Sequence, residues 1–301
     1  MSNAYHVPVL LAESIAGLNI RPNGVYVDIT FGGGGHSRKI LEKLNRNGRL
    51  FAFDQDEDAL KNAIDDKRFK LIRSNFKYFR NFLRYYNVPA VDGILVDLGV
   101  SSFHLDSPER GFSFRFEGPL DMRMNRRASL SAKKVVNEYD AEQLTGILKN
   151  YGELPEAKKF AGKICRERET GVIETVEDLA GLLKPIIPVK IQNKTLAKVF
   201  QAIRIEVNHE LDVLKSMLIN AQKCLVPDGR LVVISYHSLE DRLVKNYFRN
   251  GNFEGEDNPD FMGNRVVPFE QVNRKVIAPS SSELDQNSRA RSAKLRIGRR
   301  I

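Results

Sequence analysis

Four short apolar runs rich in β-branched residues, at 24–29, 49–53, 69–72 and 91–98, alternate with helical patterns across the first hundred residues. A buried strand takes only about four to eight such residues, and a helix between consecutive strands returns the chain to start the next one in parallel. The alternation therefore predicts βαβ units and a parallel sheet, with right-handed crossovers and ligands at the carboxyl ends of the strands. From about 107 to 188 the strand signal stops, and helices are expected at 131–139, 141–150, 157–169 and 175–183, with Asp140 and Thr175 as amino-terminal caps. A long amphipathic stretch at 195–225 then leads through Val226, Pro227, Asp228 and Gly229 into a buried strand at 230–235. The expected organisation is a sheet domain in two pieces, 1–106 and 196–301, around an inserted all-helical domain at 107–195. Beyond 251 the chain reads as loop, with edge strands expected at 266–269 and 294–297.

Only two cysteines, Cys165 and Cys224, occur in 301 residues, far apart and without ligand spacing, so neither a disulfide framework nor a metal site is expected. No apolar run reaches the roughly 20 residues that cross a bilayer, and the first residues carry no secretory pattern, which points to the cytoplasm and to no membrane partner. A net charge of +9 favours polyanions, because neutralising phosphates releases condensed counterions. The last thirteen residues hold Arg289, Arg291, Lys294, Arg296, Arg299 and Arg300 with no acid among them. They read either as a phosphate-binding patch or as a solvated tail.

After the first strand, Asp28 is followed by four consecutive glycines, Gly32 to Gly35, and then by a helical pattern from Ser37. Glycine permits close backbone approach by a ligand, and amides at a helix start favour an anionic group. The spacing is wrong for a dinucleotide fingerprint, since the third glycine position from Gly32 falls on Ser37, and no Gly-Lys-Ser/Thr is present for a triphosphate loop. The turn instead resembles the first motif of Rossmann-like methyltransferases. Asp54, ending the second strand, stands where a carboxylate accepts both hydroxyls of a ribose. Phe76, after the third strand, suits either an adenine face or the core.

Asp97 ends the fourth strand, where a carboxylate overlooks the crevice at the strand ends. Methyl transfer depends on alignment more than on acid strength, and an aromatic exocyclic amine needs acceptors such as Asp97 to hold its protons and aim its lone pair. Methylation at carbon-5 of a pyrimidine would need a cysteine nucleophile, and neither Cys165 nor Cys224 follows a proline. His104 and His237 lie in loops after strands and suit ligand contacts or loop hydrogen bonds equally.

Several strings together carry a specific resemblance: TFGGGGHS at 30–37, DLGVSS at 97–102, ERGFSF at 109–114, LDMRM at 120–124, FQAIRI at 200–205 and HSLEDR at 237–242. The chain resembles the MraW (RsmH) family of small-subunit ribosomal RNA cytosine-N(4) methyltransferases, from YHVPVLL at 5–11 to SRARSAKLR at 288–296. The resemblance implies an α/β, Rossmann-like class I methyltransferase with an inserted all-helical domain. It implies S-adenosyl-L-methionine bound by Gly34, Gly35, His36, Asp54, Phe76, Asp97 and His104, with Asp97 catalytic and no metal. The implied substrate is a decoding-centre cytidine of 16S rRNA near the P site of the small ribosomal subunit, and a homodimer is left open. Three departures stand out: 191–195 reads IQNKT where relatives often carry His-Pro, Phe103 replaces a common proline, and Tyr236 replaces the usual phenylalanine. The alternatives are methylation of another nucleic acid or a protein, and an RNA-binding assembly factor without activity; the missing Pro-Pro-aromatic tetrad at Asp97 disfavours a DNA amino-methyltransferase.

Overall fold

Each of the four apolar runs forms a strand in the computed structural model, which describes residues 8–100, 102–257, 259, 263 and 267–301. The start of the YHVPVLL string and Val266, which opens an expected edge strand, lie outside these residues. The first hundred residues contain α1 (Leu11–Leu18), β1 (Val25–Asp28), α2 (Gly35–Lys43), β2 (Arg49–Asp54), β3 (Phe69–Arg73), α3 (Phe79–Tyr85) and β4 (Val91–Asp97). Six helices follow: α4 (Ser102–Asp106), α5 (Ala132–Glu138), α6 (Ala141–Asn150), α7 (Ala157–Arg168), α8 (Val176–Leu183) and α9 (Gln192–Asn208). The chain then continues through α10 (Glu210–Cys224), β5 (Leu225–Ser235), α11 (Ser238–Asn250), β6 (Phe269–Gln271), α12 (Ser281–Gln286) and β7 (Lys294–Arg300).

The chain divides into two compact units, 1–99 with 211–301, and 100–210. These seams differ from the expected 106/107 and 195/196, chiefly because α9 belongs to the helical unit. Its Leu196, Val199, Phe200 and Ile203 are buried in one cluster with Leu148, Phe160, Ile164 and Leu179. Each such side chain contributes about 1.5–3 kcal/mol by leaving water, which outweighs the amphipathic continuity suggested by the sequence. The expected single stretch at 195–225 is in fact two helices, with His209 at φ 50° closing α9. Asp140 and Thr175 do cap α6 and α8: each accepts from the third backbone N–H of its helix, while Gln143 and Asp178 reach back to the cap residues.

In the first unit the seven strands run in the order β3-β2-β1-β4-β5-β7-β6. β1 to β5 pair in parallel, and β7 runs antiparallel between β5 and β6. Ile94, Leu95 and Val96 of β4 are fully buried, as a parallel strand covered on both faces requires. This is the Rossmann-like sheet that the resemblance implies. The order reverses between β1 and β4, so the crevice outside their carboxyl ends is the natural ligand position.

The carboxyl-terminal segment corrects two expectations. The strand expected at an edge over 294–297 is β7, an interior strand, and the sheet edge is β6. Three of the tail cations are matched by acids: Arg296 and Lys294 pair with Asp241 at 2.6 and 3.3 Å, and Arg299 pairs with Asp228 at 2.5 Å and with Glu270, while Arg289 and Arg291 are exposed. The partners come from elsewhere in the chain, which a count of charges within the tail does not reveal. Among the described residues, no helix is long and apolar enough to cross a membrane.

Candidate active site

The glycine turn is built by Asp28. Its Oδ1 accepts from the Thr30 N–H at 3.1 Å and its Oδ2 from the Ser37 hydroxyl at 2.7 Å, so one carboxyl group ties the end of β1 to the first turn of α2. Burial pushes Asp28 up to about 6 even though both hydrogen bonds favour its ionised form. The glycines answer different demands. Gly34 has φ +76°, and a Cβ there would sit 2.7 Å from the Phe31 ring; a Cβ on Gly35 would sit 2.1 Å from Cγ of Pro8. At Gly33 a Cβ would meet nothing within 4 Å, so the turn has an open side as well as a packed one.

Asp54 holds that turn from the neighbouring strand. Its Oδ2 accepts from the Gly32 N–H at 2.8 Å and its Oδ1 from the Asp56 N–H at 2.9 Å. Phe76 opens a short 3-10 turn after β3, which Asn75 caps by accepting from the Lys77 N–H while its amide donates to Gln55 at 2.9 Å. The Phe76 ring is partly buried against the sheet core.

Asp97 stands at the end of β4, registered beside Ile234 of β5. Its backbone N–H donates to Thr30 Oγ1 at 2.7 Å, which locks the ends of β1 and β4 together. Its Oδ1 accepts the Tyr236 hydroxyl proton at 2.8 Å, and its Oδ2 lies 3.9 Å from Nδ1 of His36. Burial, the negative Asp28 and the negative Glu240 push the Asp97 carboxyl up to about 7, and the Tyr236 hydrogen bond opposes them. His36 is buried, which pushes it down to about 4 and keeps the ring neutral. Its Nε2 lies 3.2 Å from the Val9 carbonyl, which can only accept, so Nε2 carries the proton and Nδ1 turns a lone pair toward Asp97.

Six of the seven expected cofactor residues, Gly34, Gly35, His36, Asp54, Phe76 and Asp97, thus gather at the carboxyl ends of β1 to β4. The seventh, His104, lies in the helical unit on α4, buried with its ring 5.0 Å from that of Phe112. His237 is the amino-terminal cap of α11: its Nδ1 accepts from the Glu240 N–H at 3.4 Å, and the Glu240 carboxylate accepts from the backbone N–H of Tyr236 and of His237. Its reading as loop scaffold is the one this geometry favours. Cys224 is buried, and burial pushes its thiol up to about 12, far from the thiolate that carbon-5 chemistry requires. Sequence reasoning assigned no role to Tyr236, Thr30 or Glu240. Thr30 and Tyr236 act on Asp97, remote in the chain, and Glu240 acts through the backbone of Tyr236; only the hydroxyl of Tyr236 left a trace, as a departure from the family pattern.

The MraW methylase family matches this chain over residues 3–301. The chain belongs to the MraW methylase family. Among its relatives, the Ribosomal RNA small subunit methyltransferase H of Phocaeicola vulgatus is 57% identical over 97% of this chain and 96% of its own length. The proteins of the same name from Parabacteroides distasonis and Christiangramia forsetii are each 55% identical over 99% of this chain and 98% of theirs. As an MraW methylase the chain is an S-adenosylmethionine-dependent methyltransferase. The open face of Gly33, the amides of the turn and the Asp54 carboxylate make a cradle whose donors and acceptors fit a nucleoside, and Asp97 offers negative charge for a sulfonium.

Proposed function

We propose that this chain methylates the exocyclic N(4) amine of a decoding-centre cytidine near the P site of 16S rRNA, within the small ribosomal subunit in the cytoplasm. Gly34, Gly35 and Asp54 hold the cofactor nucleoside, Asp54 through the ribose hydroxyls, with Phe76 beside the adenine. When bound, the cofactor supplies a methyl group on a cationic sulfur that leaves with the bonding electron pair.

The observation that carries the reading is the pair of acceptors at Asp97. Oδ2 of Asp97 and Nδ1 of His36 lie 3.9 Å apart. With Asp97 ionised, two acceptors so placed suit a donor lying between them, and an exocyclic amine brings two N–H groups. Holding those protons turns the nitrogen lone pair out of conjugation with the ring and toward the methyl. The amine nitrogen then gains a bond to carbon and sheds a proton, which Oδ2 of Asp97 can take because its carboxyl sits near 7. His36, kept neutral by burial, orients without competing for that proton.

The RNA must present the cytosine unstacked, as single-stranded loops do. Because the tail cations at 294, 296 and 299 are already matched by acids, the helical unit supplies most of the phosphate contacts in this reading. The test is transfer of labelled methyl to purified small subunits, with free RNA, DNA and protein as competitors. The Asp97→Ala variant is expected to lose at least a hundredfold in rate, and retained activity would remove Asp97 from the chemistry. Calorimetry showing no cofactor binding would revive the assembly-factor alternative.

A further inference from the structure

We propose that Tyr236 is a positioning residue for methyl transfer, its phenol fixing which oxygen of Asp97 meets the acceptor amine and in which protonation state. The proposal rests on the role given to Asp97 above.

Three observations carry it. The Tyr236 hydroxyl donates to Oδ1 of Asp97 at 2.8 Å across 139 residues of sequence, so the contact is made by the sheet and not by local chain geometry. The arm that delivers it is itself clamped. The Tyr236 N–H donates to Oε2 of Glu240 at 2.9 Å, directly beyond the end of β5, and the ring lies against Gly99, where an added Cβ would stand 3.2 Å away. Finally, with Oδ1 occupied, the carboxylate plane is set and Oδ2 is the oxygen turned toward His36.

The charged and titratable groups facing Asp97 come from four elements. Tyr236 follows β5, His36 sits on α2, Asp28 ends β1 and Glu240 sits on α11. Burial, Asp28 and Glu240 all favour the protonated acid, which cannot accept the amine proton. His36 is neutral and adds no counter-charge. The phenol of Tyr236 therefore stands alone among these four in favouring the carboxylate. It does so as a reliable donor, since burial and the negative Asp97 hold its own proton on well above the ordinary phenol range.

Tyr236→Phe keeps the ring against Gly99 and removes only the donor. A hydrogen bond to a charged group is worth about one pH unit or somewhat more in the titration of its acceptor. The acid limb of kcat is accordingly expected to move up by about one unit, lowering kcat about tenfold at pH 6 while leaving it within about twofold of the parent at pH 9, with KM for the small subunit unchanged. In cofactor-free protein the ¹³C resonance of the Asp97 carboxyl should titrate about one unit higher in the variant, a readout independent of turnover. A purely structural role would lower kcat equally at every pH and leave the carboxyl titration in place, and that result overturns the proposal. Were Tyr236→Phe to misfold, site-specific 3-fluorotyrosine, a stronger donor of the same shape, should move the limb the opposite way; an unmoved limb again overturns it. Asp97→Asn separates this inference from the one beneath it. An active Asp97→Asn enzyme refutes the role of Asp97 itself, whereas an inactive one beside a Tyr236→Phe enzyme of parental pH profile refutes only the role of Tyr236.

Discussion

Replacing Asp97 by Asn should abolish methyl transfer and at the same time stabilise the protein, by an amount that grows with pH. In the folded chain the Asp97 carboxyl sits near 7 against an ordinary value of 3.8. Three units correspond to a ceiling of about 4 kcal/mol at ~1.36 kcal/mol per unit. The side chain keeps 23% of its surface exposed. Water screens part of the penalty, and ~2 kcal/mol is the working expectation. The sign follows from proton uptake. Below pH 4 the group is protonated whether the chain is folded or not, and it contributes nothing. Between pH 4 and 7 the unfolded chain gives up this proton while the folded chain keeps it, so the parent loses stability as pH rises. Asn has no proton to lose and still accepts from Tyr236. Denaturant unfolding at pH 4 and pH 8, followed in parent and variant, reads the difference directly. The advantage of the variant should be small at pH 4 and reach ~2 kcal/mol at pH 8. An advantage that is equal at both pH values, or a loss at pH 8, would refute the claim that burial and like charges strain this carboxylate.

Three further outcomes follow from the same geometry. Gly33→Ala places its methyl in open space, so it should fold with unchanged Tm yet weaken cofactor binding at least tenfold, whereas Gly34→Ala, at φ +76° against the Phe31 ring, should cost about 1–3 kcal/mol of stability; equal Tm losses in the two would contradict a turn with one packed and one open side. Cofactor binding should release a proton, because a cationic sulfur beside Asp97 favours the carboxylate, so calorimetric heats at pH 6.5 should depend on buffer ionisation enthalpy and affinity should rise toward pH 8, and buffer-independent heats would argue against that neighbourhood. RNA affinity should fall steeply with salt, and Arg299→Ala should leave the slope nearly unchanged because Asp228 and Glu270 already hold that guanidinium; a slope reduced by about one would restore the tail as a phosphate contact.

The sheet was legible because parallel strands covered on both faces must be apolar throughout, and the runs at 24–29 and 91–98 have no other reading beside a helical period. Asp140 and Thr175 were legible for a local reason, since a capping box lies within four residues. The break at His209 was not, because both sides continue the same amphipathic stripe and only the packing of α9 into the helical unit decides where it ends. The tail misled for the opposite reason: Asp228, Asp241 and Glu270, which neutralise Arg299 and Arg296, lie tens of residues away and meet them only across the sheet. In the site, strand-end acids announce themselves by position, as Asp54 and Asp97 did. The contacts that tune them do not: Thr30 reaches Asp97 from the end of β1, and Tyr236 with Glu240 from beyond the end of β5.

The atom that receives the methyl group is decided by the acceptors around Asp97. Small subunits lacking the modification, incubated with this protein and labelled S-adenosylmethionine, should yield N(4)-methylcytidine as the labelled nucleoside after complete digestion of the 16S rRNA. Label recovered as 5-methylcytidine, on another base, or in ribosomal protein would contradict an acceptor site built from Asp97 and His36.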